Sequence, residues 1–142
     1  MFKLPASIGS IVLLFSACAS TQPTAPGPQD AMQRFRTAFN GQDAAGVANS
    51  IVADGKLLPP GKPIVSGTDN IRAHWQATFN AGVSHIEKTP IDISVQGDLA
   101  VETSSYVVTF KDQPIVGKDT LVWRRGADKV WRIYSDIWNS DK

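Results

Sequence analysis

This chain is poor in the residues that cross-link or metallate small domains. It has a single cysteine, Cys18, and two histidines, His74 and His85, in 142 residues. One cysteine excludes an internal disulfide. Two histidines without a cysteine pair give no reason to expect a dedicated metal site. Charge of one sign is not in excess, with 14 basic residues against 13 acidic ones. A balance of that kind makes no electrostatic case for nucleic acid or an anionic surface. The Arg124-Arg125 pair is too small for a nucleic-acid footprint and reads as a solvated strand end. No run approaches the ~20 apolar residues of a membrane-spanning helix. No glycine-rich loop opens a helix to cradle phosphates, and no serine sits in a nucleophile elbow. No cofactor is therefore expected.

What is present begins with a leader. Met1-Phe2-Lys3 carries one positive charge, residues 8–17 are apolar or small, and Ser16-Ala17-Cys18 follows. That is the layout of a secretory signal. The Ser-Ala-Cys end resembles a bacterial lipobox, although Phe15 stands where that motif usually has Leu and Leu14 lies one step earlier. The resemblance implies cleavage before Cys18 and lipidation of its thiol. The plainer alternative is a cleaved signal with an incidental cysteine. Ala19, rather than Asp, follows the cysteine. In lipoprotein sorting that implies an outer-membrane lipoprotein facing the periplasm, with a soluble secreted or periplasmic protein as the alternative. Membrane contact would then run through the lipid alone. Cys18→Ser is expected to abolish palmitate labelling, and labelling that persists would refute the anchor. Residues 1–17 thus read as signal. Residues 18–29, rich in Ser, Thr, Pro, Gly and Ala, read as lipidated Cys18 and a flexible tether. Residues 30–142 read as one domain, a size that supports one core.

Within the domain, Met32, Phe35, Ala38 and Phe39 recur at helical spacing and predict a helix over 30–40. Asp43 is a fitting N-cap for a second helix through Ile51, with Ala44, Val47, Ala48 and Ile51 on one face. Asp54-Gly55 predicts a turn, and residues 56–58 a short strand running into a proline-rich loop. A third helix over 69–81, capped by Thr68, carries Ile71, Trp75 and Phe79 on one face, shared by His74 and Thr78. The rest reads as extended. Ile91, Ile93 and Val95 alternate with polar residues, and Pro90 predicts a break in the strand before them. Gly97-Asp98 predicts a tight turn before a strand over Leu99–Phe110, and residues 111–114 predict another.

The closing stretch holds Trp123, Trp131 and Trp138, three of the four tryptophans. It reads as two strands joined by Gly126-Ala127-Asp128-Lys129. Strict alternation along the last strand groups Arg132, Tyr134, Asp136 and Trp138 on one face, and Trp131, Ile133, Ser135 and Ile137 on the other. Helices first and hairpin-linked strands after argue an α+β domain with helices on one face of a curved sheet.

The Leu-Leu-Pro-Pro-Gly loop at 57–61, the Ile-Arg-x-x-Trp helix at 71–75 and the Asp-Ile-Trp-Asn end at 136–139 resemble the nuclear transport factor 2-like superfamily. The similarity is greatest to its SnoaL-like and ketosteroid-isomerase-like domains and covers nearly all of the mature chain. It implies a cone of three N-terminal helices packed on a curved antiparallel sheet, a cystatin-like fold, with a pocket at the open end. It also implies homodimers through the sheet. In the isomerases of that group an acidic base follows the first short strand. Here Leu57-Leu58-Pro59 occupies that place, and Phe35 and Phe39 stand where a catalytic Tyr would be.

The polar candidates for a pocket are few. His74 is a competent acid or base near neutral pH, or else a core histidine bonded to a carbonyl. Asp136 is its acid/base partner, or else a structural partner of Arg36, Arg72 or Arg132. Tyr106 and Glu102 share strand parity and would line the pocket or simply neighbour each other. Trp75, Trp138 and Phe39 would supply apolar walls. Three functions stay open: binding a small, mostly apolar molecule, an isomerase-, dehydratase- or cyclase-type reaction on Asp136 and His74, and a homodimeric association module without ligand.

Overall fold

A computed structural model describes residues 26–141, so Cys18, the leader and most of the tether lie outside the described residues. The first helix, α1 (Pro28–Asn40), starts two residues earlier than periodicity alone predicts. Proline suits a first helical position, and the Asp30 carboxylate accepts the Gly27 N–H at 2.8 Å. Its buried face is Ala31, Met32, Phe35 and Phe39. The second helix, α2 (Ala44–Asn49), is capped by Asp43, whose carboxylate accepts the Gly46 N–H at 2.9 Å. Ile51, expected in that helix, instead opens β1 (Ile51–Leu58). A two-residue β2 (Val65–Ser66) precedes α3 (Thr68–Asn80), which buries Ile71, Trp75 and Phe79. Thr68 is the first residue of α3, and the cap is Gly67 at φ 82°. Long strands follow: β3 (Val83–Gln96), β4 (Leu99–Phe110), β5 (Gln113–Arg125) and β6 (Trp131–Ser140).

The six strands form one sheet in the order β2-β1-β6-β5-β4-β3. All neighbours are antiparallel except β1 and β6, which run parallel. The sheet is therefore mixed, where hairpin signals predicted an antiparallel one. Turn chemistry reports only strands adjacent in sequence, and a pairing of the first strand with the last leaves no local trace. Nor do all the helices precede the strands, because β1 and β2 come before α3.

Two proposed interruptions turn out to be bulges. Pro90 does not break β3. It lies on the sheet edge, where a missing N–H costs no ladder bond, and the register slips by one between Pro90 and Asp92. Asp54-Gly55 does not end a segment either. It lies in an irregular bulge of β1, between the pairs Ile51↔Ile133 and Lys56↔Ser135. A Cβ on Gly55 would meet Ile51 Cγ2 at 2.5 Å and the Val52 carbonyl at 2.8 Å, so the bulge requires glycine. The β4–β5 turn is shorter than expected. It uses Lys111 and Asp112 alone, at φ 47° and 63°, as a two-residue hairpin demands.

One bulge matters most. Val122 pairs with Ser135 but Trp123 pairs with Ile133, which leaves Tyr134 as an extra residue in β6. The bulge resets the alternation. Trp131 and Ile133 therefore face the core together with Asp136 and Trp138, not opposite them. Trp131 is 4% exposed, Ile133 0% and Asp136 5%. Ile133 is a core residue, and Ile137, half-exposed, marks the outer face. Bulges of this kind also bend the strands they interrupt. The sheet curves around α1 and α3, whose Phe39 and Phe79 rings meet edge to face at 5.1 Å.

Candidate functional site

The inner face of the bent sheet and the two long helices enclose a cavity of about 210 Å3. Its walls are apolar because of what each element presents at its buried spacing. Helix α1 supplies Phe35 and Phe39, α3 supplies Trp75, β3 supplies Val83 and Ile86, and β6 supplies Trp138. Pro59 and Pro60, from the loop after β1, close one side. Trp75 and Trp138 stack at 5.8 Å with an interplanar angle of 23°. The His74 ring stands edge-on to both, at 5.2 Å from Trp75 and 6.1 Å from Trp138.

Six polar side chains break this apolar lining: His74, Thr78, Lys88, Tyr106, Asp119 and Asp136. Of the residues singled out from sequence, Asp136, His74, Tyr106, Trp75, Trp138 and Phe39 all line this one cavity. Glu102 does not. It is 1% exposed, and it accepts Ser104 Oγ at 2.8 Å and Trp123 Nε1 at 3.0 Å. Both of its oxygens thus serve the core under Trp123, because its turn of the β4 alternation falls deeper in the sheet than that of Tyr106.

Sequence reasoning missed Lys88 and Asp119. Their side chains form a buried ion pair across the face of β4. A readable signal existed. Asp119-x-Leu121-x-Trp123 and Ile86-x-Lys88 share parity with residues that any core assignment would place inside.

The electrostatics follow from this enclosure. Burial pushes the Asp136 carboxyl up to about 7; the Lys88 ammonium opposes the rise and the Asp119 charge adds to it. None of the suggested arginines reaches Asp136: Arg36 pairs with Glu87, Arg72 with Asp69 and Arg132 with Asp128. Asp119 is also raised by burial, with Lys88 pulling the other way. Ser104 offers Asp119 little, since its one hydroxyl proton goes to Glu102. Tyr106 is pushed up to about 12, by burial first and then by the Asp119, Asp136 and Asp141 charges, so its phenol stays protonated. Its ring lies over Gly117, where a Cβ would meet Tyr106 Cζ at 2.3 Å. Glycine in β5 is thus what lets the phenol lie flat on the sheet. Burial lowers His74, which favours the neutral imidazole.

Three buried side-chain atoms of the lining have no partner: Trp75 Nε1, Asp119 Oδ1 and Asp136 Oδ1. Among the described residues only Arg36 Nε is in the same condition elsewhere. A buried polar atom without a partner is costly. Three of the four such atoms among the described residues belong to the lining of this one cavity. A larger depression of about 510 Å3 lies beside α1, α2 and the start of β6. It is lined by none of these atoms.

The fold has many solved counterparts. A ketosteroid isomerase-like protein from Erwinia carotovora atroseptica superposes with a TM-score of 0.70 at 21% identity, over 80% of this chain and 93% of that one. A protein of unknown function from Mycobacterium tuberculosis gives 0.70 at 23%, over 81% and 70%. A nuclear transport factor 2-like protein with a cystatin-like fold from Novosphingobium aromaticivorans gives 0.68 at 20%, over 81% and 80%. At these identities the likeness is one of fold. A search of curated proteins returned no match. The sequence profile of the SnoaL-like domain matches residues 32–137, which takes in every strand from β1 to most of β6 and all the residues of the cavity except Trp138. By that match, and by the bent sheet that carries the site, this chain belongs to the SnoaL-like domain family.

Proposed function

We propose that this domain binds a small, mostly apolar molecule in its cone, held to the cell envelope by a lipid on Cys18. The observation that carries the binding reading is the concentration of three unpartnered buried polar atoms in one apolar cavity. An apolar pocket with a few convergent polar groups is the usual form of a small-molecule site. Its volume of about 210 Å3 is many times the ~10–15 Å3 that a single water needs, which leaves room for a small ring compound. A ligand that binds only the folded state raises stability by about 2.7 kcal/mol at a hundred times its Kd. Thermal denaturation across a library of small ring compounds is therefore expected to yield hits that shift the melting temperature upward. A library without a single hit counts against the reading.

A second reading rests on Asp136, a carboxyl that burial pushes up to about 7 in a mostly apolar cavity. That is the condition for general acid–base work of the isomerase, dehydratase or cyclase type, with neutral His74 in the same lining. Here Asp136 would act as the proton carrier in place of the base missing from Leu57-Leu58-Pro59. Unchanged turnover in Asp136→Asn, for any substrate found, would remove this reading.

Homodimerisation through the outer sheet face belongs to the same proposal. Val107 and Val116 pair across strands there and are 41% and 49% exposed, and Ile137 is 50% exposed. Their neighbours on that face include Thr103, Thr120 and Val122. Ile137→Glu is expected to convert a dimer to a monomer in light scattering without loss of fold. A variant that keeps the wild-type mass assigns the interface elsewhere. Ile133→Glu cannot make this test, because Ile133 is buried in the core.

A further inference from the structure

The charges around the cavity do not balance. Lys88 from β3 brings one positive charge and spends it on Asp119 Oδ2 of β5. Asp136 from β6 is then a second carboxyl with no cation of its own. From the other elements come Tyr106 of β4, a phenol that stays protonated, and His74 of α3, whose burial favours the neutral ring. Helix α1 and the loop after β1 contribute only Phe35, Phe39, Pro59 and Pro60. Both carboxyl residues are more than nine-tenths buried, and each keeps one oxygen, Asp119 Oδ1 and Asp136 Oδ1, without a donor. A proton on Asp136 cancels its charge. It still leaves the two residues short of donors.

We infer that the cavity takes a small primary ammonium compound with an apolar body, its N–H groups donating to the carboxylates of Asp136 and Asp119, which line it. This rests on the ligand-binding reading above and narrows it to a ligand class. An ammonium offers three donors where a hydroxyl offers one, and hydrogen bonds between ionised partners are the stronger kind. The walls agree with a cation. Trp75, Trp138, Phe39 and Phe35 present aromatic rings around the lining, and ring faces attract cations. The Lys88 ammonium, already engaged, confines the ligand's charge to the Asp136 side. A metal ion fits less well. Lys88 occupies one side of Asp119, and no group of three or more His, Cys, Asp or Glu that could hold a metal stands among the described residues. Trp75 Nε1, a buried donor without a partner, would take an oxygen acceptor elsewhere on the same molecule.

The inference fixes the sign of a pH dependence. A cation binds the ionised form of Asp136, so binding displaces a proton and tightens as pH rises. A neutral ligand that accepts a hydrogen bond from the protonated carboxyl weakens over the same range. The test is calorimetric titration of the described domain with benzylamine, benzyl alcohol and toluene at pH 6 and pH 8. Benzylamine is an alkylamine and stays protonated throughout. It is expected to bind about tenfold more tightly at pH 8, because apparent affinity scales with the competent fraction. Proton release should appear as a buffer-dependent heat. Asp136→Asn should flatten that slope and remove the preference for the amine over the alcohol. His85→Gln, a change at the exposed histidine outside the lining, should keep both. If the alcohol matches the amine at pH 8, if the slope is absent or inverted, or if His85→Gln removes it, the inference is overturned while ligand binding stands. If none of the three probes binds, the binding reading falls and this inference with it.

Discussion

Replacing Lys88 with methionine is expected to lower the stability of the domain by about 3–5 kcal/mol, the usual cost of leaving one member of a buried ion pair alone. The pair is dry: the Lys88 and Asp119 side chains are 2% and 5% exposed. Methionine keeps most of the stem volume, so the loss reports the orphaned Asp119 charge rather than a cavity. The loss should be greatest above neutral pH. It should be smaller at pH 5, because burial already raises Asp119 and the loss of its cation favours the protonated form further. A second change, Asp119→Asn, should restore much of the stability to Lys88→Met, since a neutral amide carries a smaller desolvation penalty than a lone carboxylate. Urea denaturation of the two variants at both pH values checks this. A pH-independent loss below about 1 kcal/mol would place the pair among weak surface-like bridges and would contradict its burial.

The second large effect concerns Asp136 and has the opposite sense. Burial pushes its folded-state value up to about 7, from the 3.8 of an ordinary aspartate. The folded protein therefore holds this proton more tightly than the unfolded chain does. Between those two values the native state binds more protons than the unfolded state, so stability falls as pH rises through the window. Below about 4 the carboxyl is protonated in both states and nothing is lost. Above about 7 it is ionised in both and the penalty is complete. About three units at 1.36 kcal/mol each set the penalty at up to about 4 kcal/mol. Asp136→Asn removes the titration. The difference in stability between variant and wild type should be small near pH 4 and should turn in favour of the variant by pH 8. The difference is the proper measure, because exposed Asp54 and Asp128 are lowered by their arginine or backbone partners and titrate in the other direction. A flat difference curve would mean that Asp136 is better solvated or better paired than the cavity implies.

Much of the local structure was legible from particular residues. Met32, Phe35 and Phe39 on one helical face, and Ile71, Trp75 and Phe79 on another, are the buried stripes of α1 and α3. Gly97-Asp98 and the Trp123–Trp131 hairpin are where turn chemistry places them. The same rules failed at three bulges, because alternation holds only while the register does. At Tyr134 one inserted residue moved Ile133 from the face opposite Asp136 to the same, buried face. Pro90 and Gly55, read as breaks, are residues that a bulged or edge strand tolerates.

The site divides along the same line. Asp136, His74, Tyr106, Trp75, Trp138 and Phe39 were visible as polar or aromatic residues at buried spacing, and they meet in one cavity. Glu102 had the same credentials and went instead to Ser104 and Trp123. Whether a buried carboxyl finds a donor depends on side chains of other strands, as Trp123 of β5 reaches Glu102 of β4 and Lys88 of β3 reaches Asp119 of β5, which no local pattern records.

The sequence by itself therefore determined the helices, the strands and the family to which the domain belongs, because these depend on local propensity and on spacing within each segment. It also determined that no disulfide could staple the chain, since Cys18 stands alone. Only the tertiary structure decided that β1 lies parallel to β6, that a bulge turns Asp136 and Ile133 to the same side, and that Lys88 answers Asp119 and leaves Asp136 without a cation. Those outcomes depend on which residues, distant along the chain, share a space from which water is excluded.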